Sequence, residues 1–189
     1  MATQDSRIKL KRSTVTGTAP TVPSSNDHTD GTWIATDIYK GELFFNQADG
    51  VLWSRDVNGI NCLGGSVSLT IASADVLTLN STPITIVKGV AGKCIEVITF
   101  VRDIDFNTTA YATNTHLQLK TQGADVAQVQ QSNSLAATTS NIWNDFDRIT
   151  PSAANTQLLK GADLQVYVPT GNPTGGDSDI TVHVHFRYI

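Results

Sequence analysis

His183 and His185 stand two residues apart in the closing run Ile180-Thr181-Val182-His183-Val184-His185-Phe186-Arg187-Tyr188. On an extended strand that spacing projects both imidazoles from one face, where two nitrogens could bind zinc, iron or another transition metal once further ligands arrive. Threefold association of identical chains would bring three such pairs together. The plainer reading gives both histidines to the polar face of the strand, beside Thr181 and Arg187, and it is the one adopted. Asp103 and Asp105, Asp145 and Asp147, and Asp177 and Asp179 are carboxylates at i and i+2. Such pairs could serve calcium coordination or glycosidic acid–base chemistry. None falls in a twelve-residue calcium loop with its glycine and terminal glutamate, so ordinary solvated turn positions are expected. There is no GxSxG elbow, no HExxH and no GxxxxGKS phosphate loop, and the chain reads as a non-enzyme without a cofactor.

Two further groups concern binding. Arg7, Lys9, Lys11 and Arg12 form the one basic cluster of a chain whose formal net charge is -4. They could dock on an acidic protein surface or merely solubilise the chain end. Tyr111 and Trp143 lie in or beside polar loop sequence and are the candidates for contact with a polysaccharide. For Trp143, between Ile142 and Phe146, a core position is the stronger expectation. Cys62 and Cys94 form no CxxC pair; they read as buried thiols, and their pairing is left open. Asn80-Ser81-Thr82 and Asn107-Thr108-Thr109 match the glycosylation acceptor pattern, but Met1 to Arg12 has no apolar core of a secretory leader to support it. The chain is therefore expected to be made in a cytoplasm and retained there or released by lysis.

Composition narrows the class. Of 189 residues, 40% are hydrophobic and 16% charged, against roughly 25% charged in an average soluble domain. Much of the surface is thus polar but uncharged, as where chains pack against their own copies. The acidic balance excludes a phosphate-tracking nucleic-acid binder. No apolar run approaches the roughly 20 residues of a spanning helix, so no membrane insertion is expected.

The elements that must position these residues are strands. Helical periodicity is nearly absent, and short alternating runs are punctuated by turn formers. Gly17 to Gly31 holds two prolines and reads as an extended, irregular segment. Glu42–Asn46, Val51–Arg55 and Ile60–Leu63 read as three strands joined by turns ending in Asp49-Gly50 and Asn58-Gly59, a β-meander. Three short strands alone are barely stable. Phe45, Val51 and Trp53 are large groups with few strands to cover them. Burying each contributes roughly 1.5–3 kcal/mol, so threefold association is expected to supply the cover. Gly64-Gly65 marks a boundary between a module over residues 1–64 and a domain over 65–189. In the latter, Val67 to Leu79 holds two apolar runs. Ile84–Val87, Cys94–Val101, Tyr111–Leu119, Leu164–Val168 and Ile180–Tyr188 read as strands. The stretch from Thr121 to Leu158 reads as a long connection holding a short helix or irregular strands. The fold class is all-β, a meander module followed by an antiparallel β-sandwich of jelly-roll type.

The N-terminal pieces carry a resemblance. Ile8-Lys9-Leu10-Lys11-Arg12-Ser13, then Gly17-Thr18-Ala19-Pro20, then Lys40-Gly41-Glu42-Leu43-Phe44-Phe45-Asn46-Gln47-Ala48-Asp49-Gly50-Val51-Leu52-Trp53 resembles the N-terminal module of phage tropism-determinant proteins and of other tail- and head-fibre chains. The likeness covers about the first third of the chain and departs from the pattern between Asn26 and Ile38, where this sequence carries an insertion-like polar stretch. It implies an intertwined homotrimer that ties an appendage to a virion protein. The remainder, from about Ser66, looks like the jelly-roll knobs of head fibres and decoration proteins. The expectation is a virion structural protein, displayed on the particle surface and assembled in the bacterial cytoplasm, as a short head fibre or capsid decoration. A tail-fibre or tail-tip receptor-binding protein is the alternative.

Overall fold

The computed structural model describes residues 10–25, 29–122, 127–144, 147–148 and 159–189. The fold is all-β: among the described residues the one helix is the single turn α1 (Ser73–Val76). The chain forms two compact units, Met1–Leu63 and Gly64–Ile189.

In the first unit, β2 (Leu43–Asn46) and β3 (Val51–Arg55) form an antiparallel pair, and β1 (Lys11–Ser13) runs parallel along β2. The chain passes to the second unit within β4 (Ile60–Ile71), which continues through the double glycine instead of stopping at Leu63. Gly64 has φ +126°, a backbone state that glycine adopts far more readily than other residues. The pair therefore marks a distortion inside a strand.

The second unit has two principal sheets. One has the order β4, β14 (Asp179–Tyr188), β6 (Ile95–Asp105), β10 (Asn141–Trp143). The other has the order β11 (Asp147–Arg148), β9 (Ala127–Gln131), β8 (Leu117–Thr121), β12 (Leu164–Tyr167), β5 (Ile84–Val87). A small ribbon joins β7 (Tyr111–Ala112) to β13 (Thr174–Gly175). Leaving aside the short β7, β11 and β13, the main strands pair as nested antiparallel partners. First pairs with last (β4 with β14), then β5 with β12, β6 with β10, and β8 with β9.

Each sheet buries one face. On β14 the even positions Ile180, Val182, Val184, Phe186 and Tyr188 are all buried, as period-two alternation requires. Its neighbour β6 changes parity: Ile95 and Val97 are buried, then Phe100, Arg102 and Ile104. The register slips opposite His185/Phe186, so Ile98 is an extra residue. A bulge of this kind moves every later side chain to the other face, and Ile98 is left exposed. Leu117, Leu119, Leu164, Val166 and Val87 bury the inner side of the second sheet. Gln131 of β9 donates to the carbonyls of Phe100 and Trp143 at 2.9 and 3.1 Å, tying the two sheets together.

One expectation is corrected here. Tyr111–Leu119 is not one strand, because Thr113 (φ 47°) and Asn114 (φ 49°) turn through the left-handed region between β7 and β8. Of the two alternatives for the stretch from Thr121 to Leu158, its described residues hold short strands, β9, β10 and β11.

Candidate functional site

In the first unit the pleat separates two surfaces. Phe44 lies opposite Trp53, and Asn46 opposite Val51; all four are at most 1% exposed. The cover comes from the irregular segment that precedes β2. Pro20, Pro23 and Ile38 are buried. Asn46 donates to the carbonyls of Val15 and Thr18, both at 3.0 Å, and to Asp49. Asp49 also accepts from the Gly17 N–H at 2.7 Å. Burial pushes the Asp49 carboxyl above its usual value, an effect that the Gly17 hydrogen bond partly offsets. Arg55 donates to the Ile38 carbonyl at 2.8 Å. Val51 and Trp53 are therefore buried within a single chain, which corrects the expectation that they need a neighbouring chain.

Phe45 has the opposite fate. It faces away from Trp53 with Leu43 and Leu52, and Arg12 pairs alongside it on β1. Leu43 and Leu10 are exposed, while Phe45 and Leu52 are half-buried. Among the described residues this surface is mainly apolar, with Ser54 beside Leu43 and the exposed Arg12 guanidinium on it.

The two described members of the basic cluster point to opposite faces. Arg7 and Lys9 lie outside the described residues, and Arg12 projects onto the apolar face. Lys11 points the other way. Its ammonium donates to the Asp37 carbonyl at 2.6 Å and to the Glu42 carboxylate at 3.0 Å. It also sits 5.1 Å from the Trp33 ring centroid and 5.3 Å from that of Tyr39, within the range of cation–π attraction. Lys11, Trp33, Tyr39, Lys40 and Glu42 line an open cavity of about 540 Å³. The sequence reading missed this group, although a tryptophan in an otherwise polar stretch was the available signal.

The candidates in the second unit are dispersed. His183 and His185 project from the outer face of β14, as expected, and His183 Nδ1 shares a 2.7 Å hydrogen bond with Ser68. No group of three or more His, Cys, Asp or Glu side chains comes together among the described residues. Cys62 and Cys94 form no disulfide and are half-buried, which corrects the expectation of buried thiols.

Tyr111 is buried, and its hydroxyl donates to the Ser178 carbonyl. Burial first, then Asp179 and Asp177, push its ionisation well above the usual tyrosine value. It has no surface to offer a glycan, which corrects that assignment. Trp143 lies on the edge strand β10, 38% exposed, beside Ile142 at 67%; the expected core position does not hold.

The paired aspartates serve their loops. Asp177 accepts from Asn107, Thr108 and Thr109, and the Thr108 and Thr109 hydrogen bonds hold its carboxyl below the usual range. Asp179 accepts from the Ser73 N–H at 2.8 Å, and Asp105 from the Ser140 hydroxyl at 3.3 Å. Asp103 stands on β6 opposite Thr181 and Ile142. Asp145 lies outside the described residues, and of Asp147 only the strand pairing with Gln130 is described.

Arg102 is a buried cation that the sequence reading passed over. It donates to the carbonyl and side chain of Asn141 at 3.0 and 2.7 Å, and burial lowers its pKa to about 10. Comparison with protein-family models, curated proteins and solved structures finds no match.

Proposed function

We propose that this chain is a structural component of a bacteriophage particle, a homotrimeric head-fibre or capsid-decoration appendage. In this reading the first unit associates and attaches, and the second is a displayed knob.

The observation that carries it is the distribution of large apolar side chains. Among the described residues, Leu10, Val15, Val22, Trp33, Ile34, Leu43, Val57 and Leu63 are exposed on the shorter unit, against Ile98, Ile142, Trp143 and Ile189 on the longer. Isolated exposed hydrophobics are ordinary, whereas a contiguous apolar patch marks an interaction surface. Leu43, Phe45 and Leu52 are adjacent on one sheet face, and a copy of the same chain would bury them. In this reading Phe45 lies on the associating face, whereas Val51 and Trp53 are buried within the chain. For attachment to the virion partner, Arg12 is the exposed residue among the described members of the basic cluster, and Lys11 is already engaged.

The nested order of the second unit supports its reading as a jelly roll, an architecture that protects all but short edges and suits a stable displayed knob. The phage assignment draws on the N-terminal resemblance from Ile8 to Trp53. Its test is incorporation: the tagged chain, expressed during infection by a phage that carries it, should be recovered on purified particles. An Arg12→Glu variant that folds should be recovered at least tenfold less. Absence of the parent chain from particles would refute the assignment.

A further inference from the structure

We infer that the cavity at Trp33 is a binding subsite for a carboxylate-bearing saccharide. The inference goes beyond the assembly role and occupies a different face, because Lys11 and Arg12 are successive residues on β1 and project oppositely.

Two turns present the indole. Asp30 accepts from the Thr32 N–H at 2.9 Å and its hydroxyl at 2.7 Å, just before Trp33. Immediately after it, Asp37 accepts from the Ile34 N–H at 3.0 Å and returns its own N–H to the Ile34 carbonyl at 3.0 Å. Trp33 is thus held at both ends yet 45% exposed. A large apolar side chain fixed in this way loses little freedom on binding.

The lining indicates the ligand. Its described lining consists of two amphipathic aromatics and three charged side chains. A pocket for an apolar anchor of a protein would be predominantly hydrophobic. A pyranose suits this lining better: one ring face is a patch of C–H groups that stacks on an indole, while the rim of hydroxyls stays wet. Charge selects among sugars. Among the described lining residues Lys11 and Lys40 are the cations and Glu42 the anion, and the Lys11 ammonium is paired with that carboxylate. Lys40, exposed at the cavity wall, is left to meet an anion. An anionic group on the ring, a carboxylate, complements it. The Lys11 clasp between the rings shapes the floor, so Lys11 and Glu42 are positioning residues, while Trp33 and Lys40 make the contact.

The experiment is calorimetric titration of the full chain with trigalacturonate, a hyaluronan tetrasaccharide and a trimer of sialic acid. Neutral maltotriose and poly-L-glutamate serve as controls. At least one acidic oligosaccharide should bind tenfold or more tighter than maltotriose. Trp33→Ala should weaken that binding at least tenfold, and Trp33→Phe should keep most of it. Lys40→Gln should erase the preference for the acidic sugar with no shift in the thermal midpoint. Failure of all three acidic sugars to bind would overturn the inference. So would binding that Trp33→Ala leaves intact, or poly-L-glutamate binding as tightly as the sugars, which would indicate an acidic peptide instead.

Discussion

In the second unit every inward side chain of β14 from Ile180 to Tyr188 is buried. In the first, the pair β2–β3 buries Phe44, Val51 and Trp53 on one face and leaves Leu43, Phe45 and Leu52 on the other. Both use the same alternation. What differs among the described residues is the cover: one sheet meets a second sheet, the other an irregular segment on one side. That segment is held by side-chain-to-main-chain bonds from Asn46, Asp49 and Arg55. A unit built this way has a finished side and an unfinished one, and the unfinished side is where association is expected.

The difference can be tested by substitution. Phe186→Ala opens the finished core of the second unit and should cost about 3–5 kcal/mol, read by denaturant unfolding, whatever the protein concentration. Phe45→Ala should instead shift the unfolding midpoint in proportion to how much association contributes, so its effect should shrink on dilution. A concentration-independent loss at Phe45 would break the comparison.

Next in size is Gly176→Ala. Gly176 has φ +83°, and a side chain there would overlap the Tyr111 ring; the expected loss is about 2–3 kcal/mol. Replacing Tyr111 as well, by Ala, should make the glycine substitution markedly cheaper. A smaller effect is expected at Lys11→Ala, about 1 kcal/mol from the lost ring contacts and partly exposed ion pair.

The smallest concerns acid. The Asp177 carboxyl is held below 3.8 when folded, so its contribution is present above that value and is lost as pH falls through the lowered one. The Asp49 carboxyl is raised above 3.8, so its ionised form disfavours folding and the penalty is relieved on acidification. Unfolding midpoints followed from pH 5.5 down to 2.5 should therefore fall less in Asp177→Asn than in the parent, and more in Asp49→Asn. Equal slopes in all three would contradict these environments.

What the sequence made legible follows from these physics. The even-numbered apolar face of β14 and the hairpin turns at Asp49-Gly50 and Asn58-Gly59 are local signals, and they lie where alternation and turn chemistry place them. The bulge at Ile98 was not legible, because one extra residue leaves composition unchanged and only the partner strand reveals the slip. Thr113 in the left-handed region hid the break before β8, since threonine ordinarily favours strands. The cover over Trp53 was missed for another reason. Its prolines and polar residues have no period, and they become structure only through the hydrogen bonds of Asn46 and Arg55. Trp33 and Tyr39 meet Lys11 across more than twenty residues of such chain, so spacing could not announce the cavity.

The central claim is that the open face of the first unit joins copies of this chain. The direct measurement is the mass of the native protein in solution, by sedimentation or light scattering, for the parent and for the triple variant Leu43→Ser, Phe45→Ser, Leu52→Ser. The account predicts a parent of three chains, and a variant of one chain whose second unit still unfolds cooperatively. A monomeric parent, or a folded variant that remains a trimer, would contradict it.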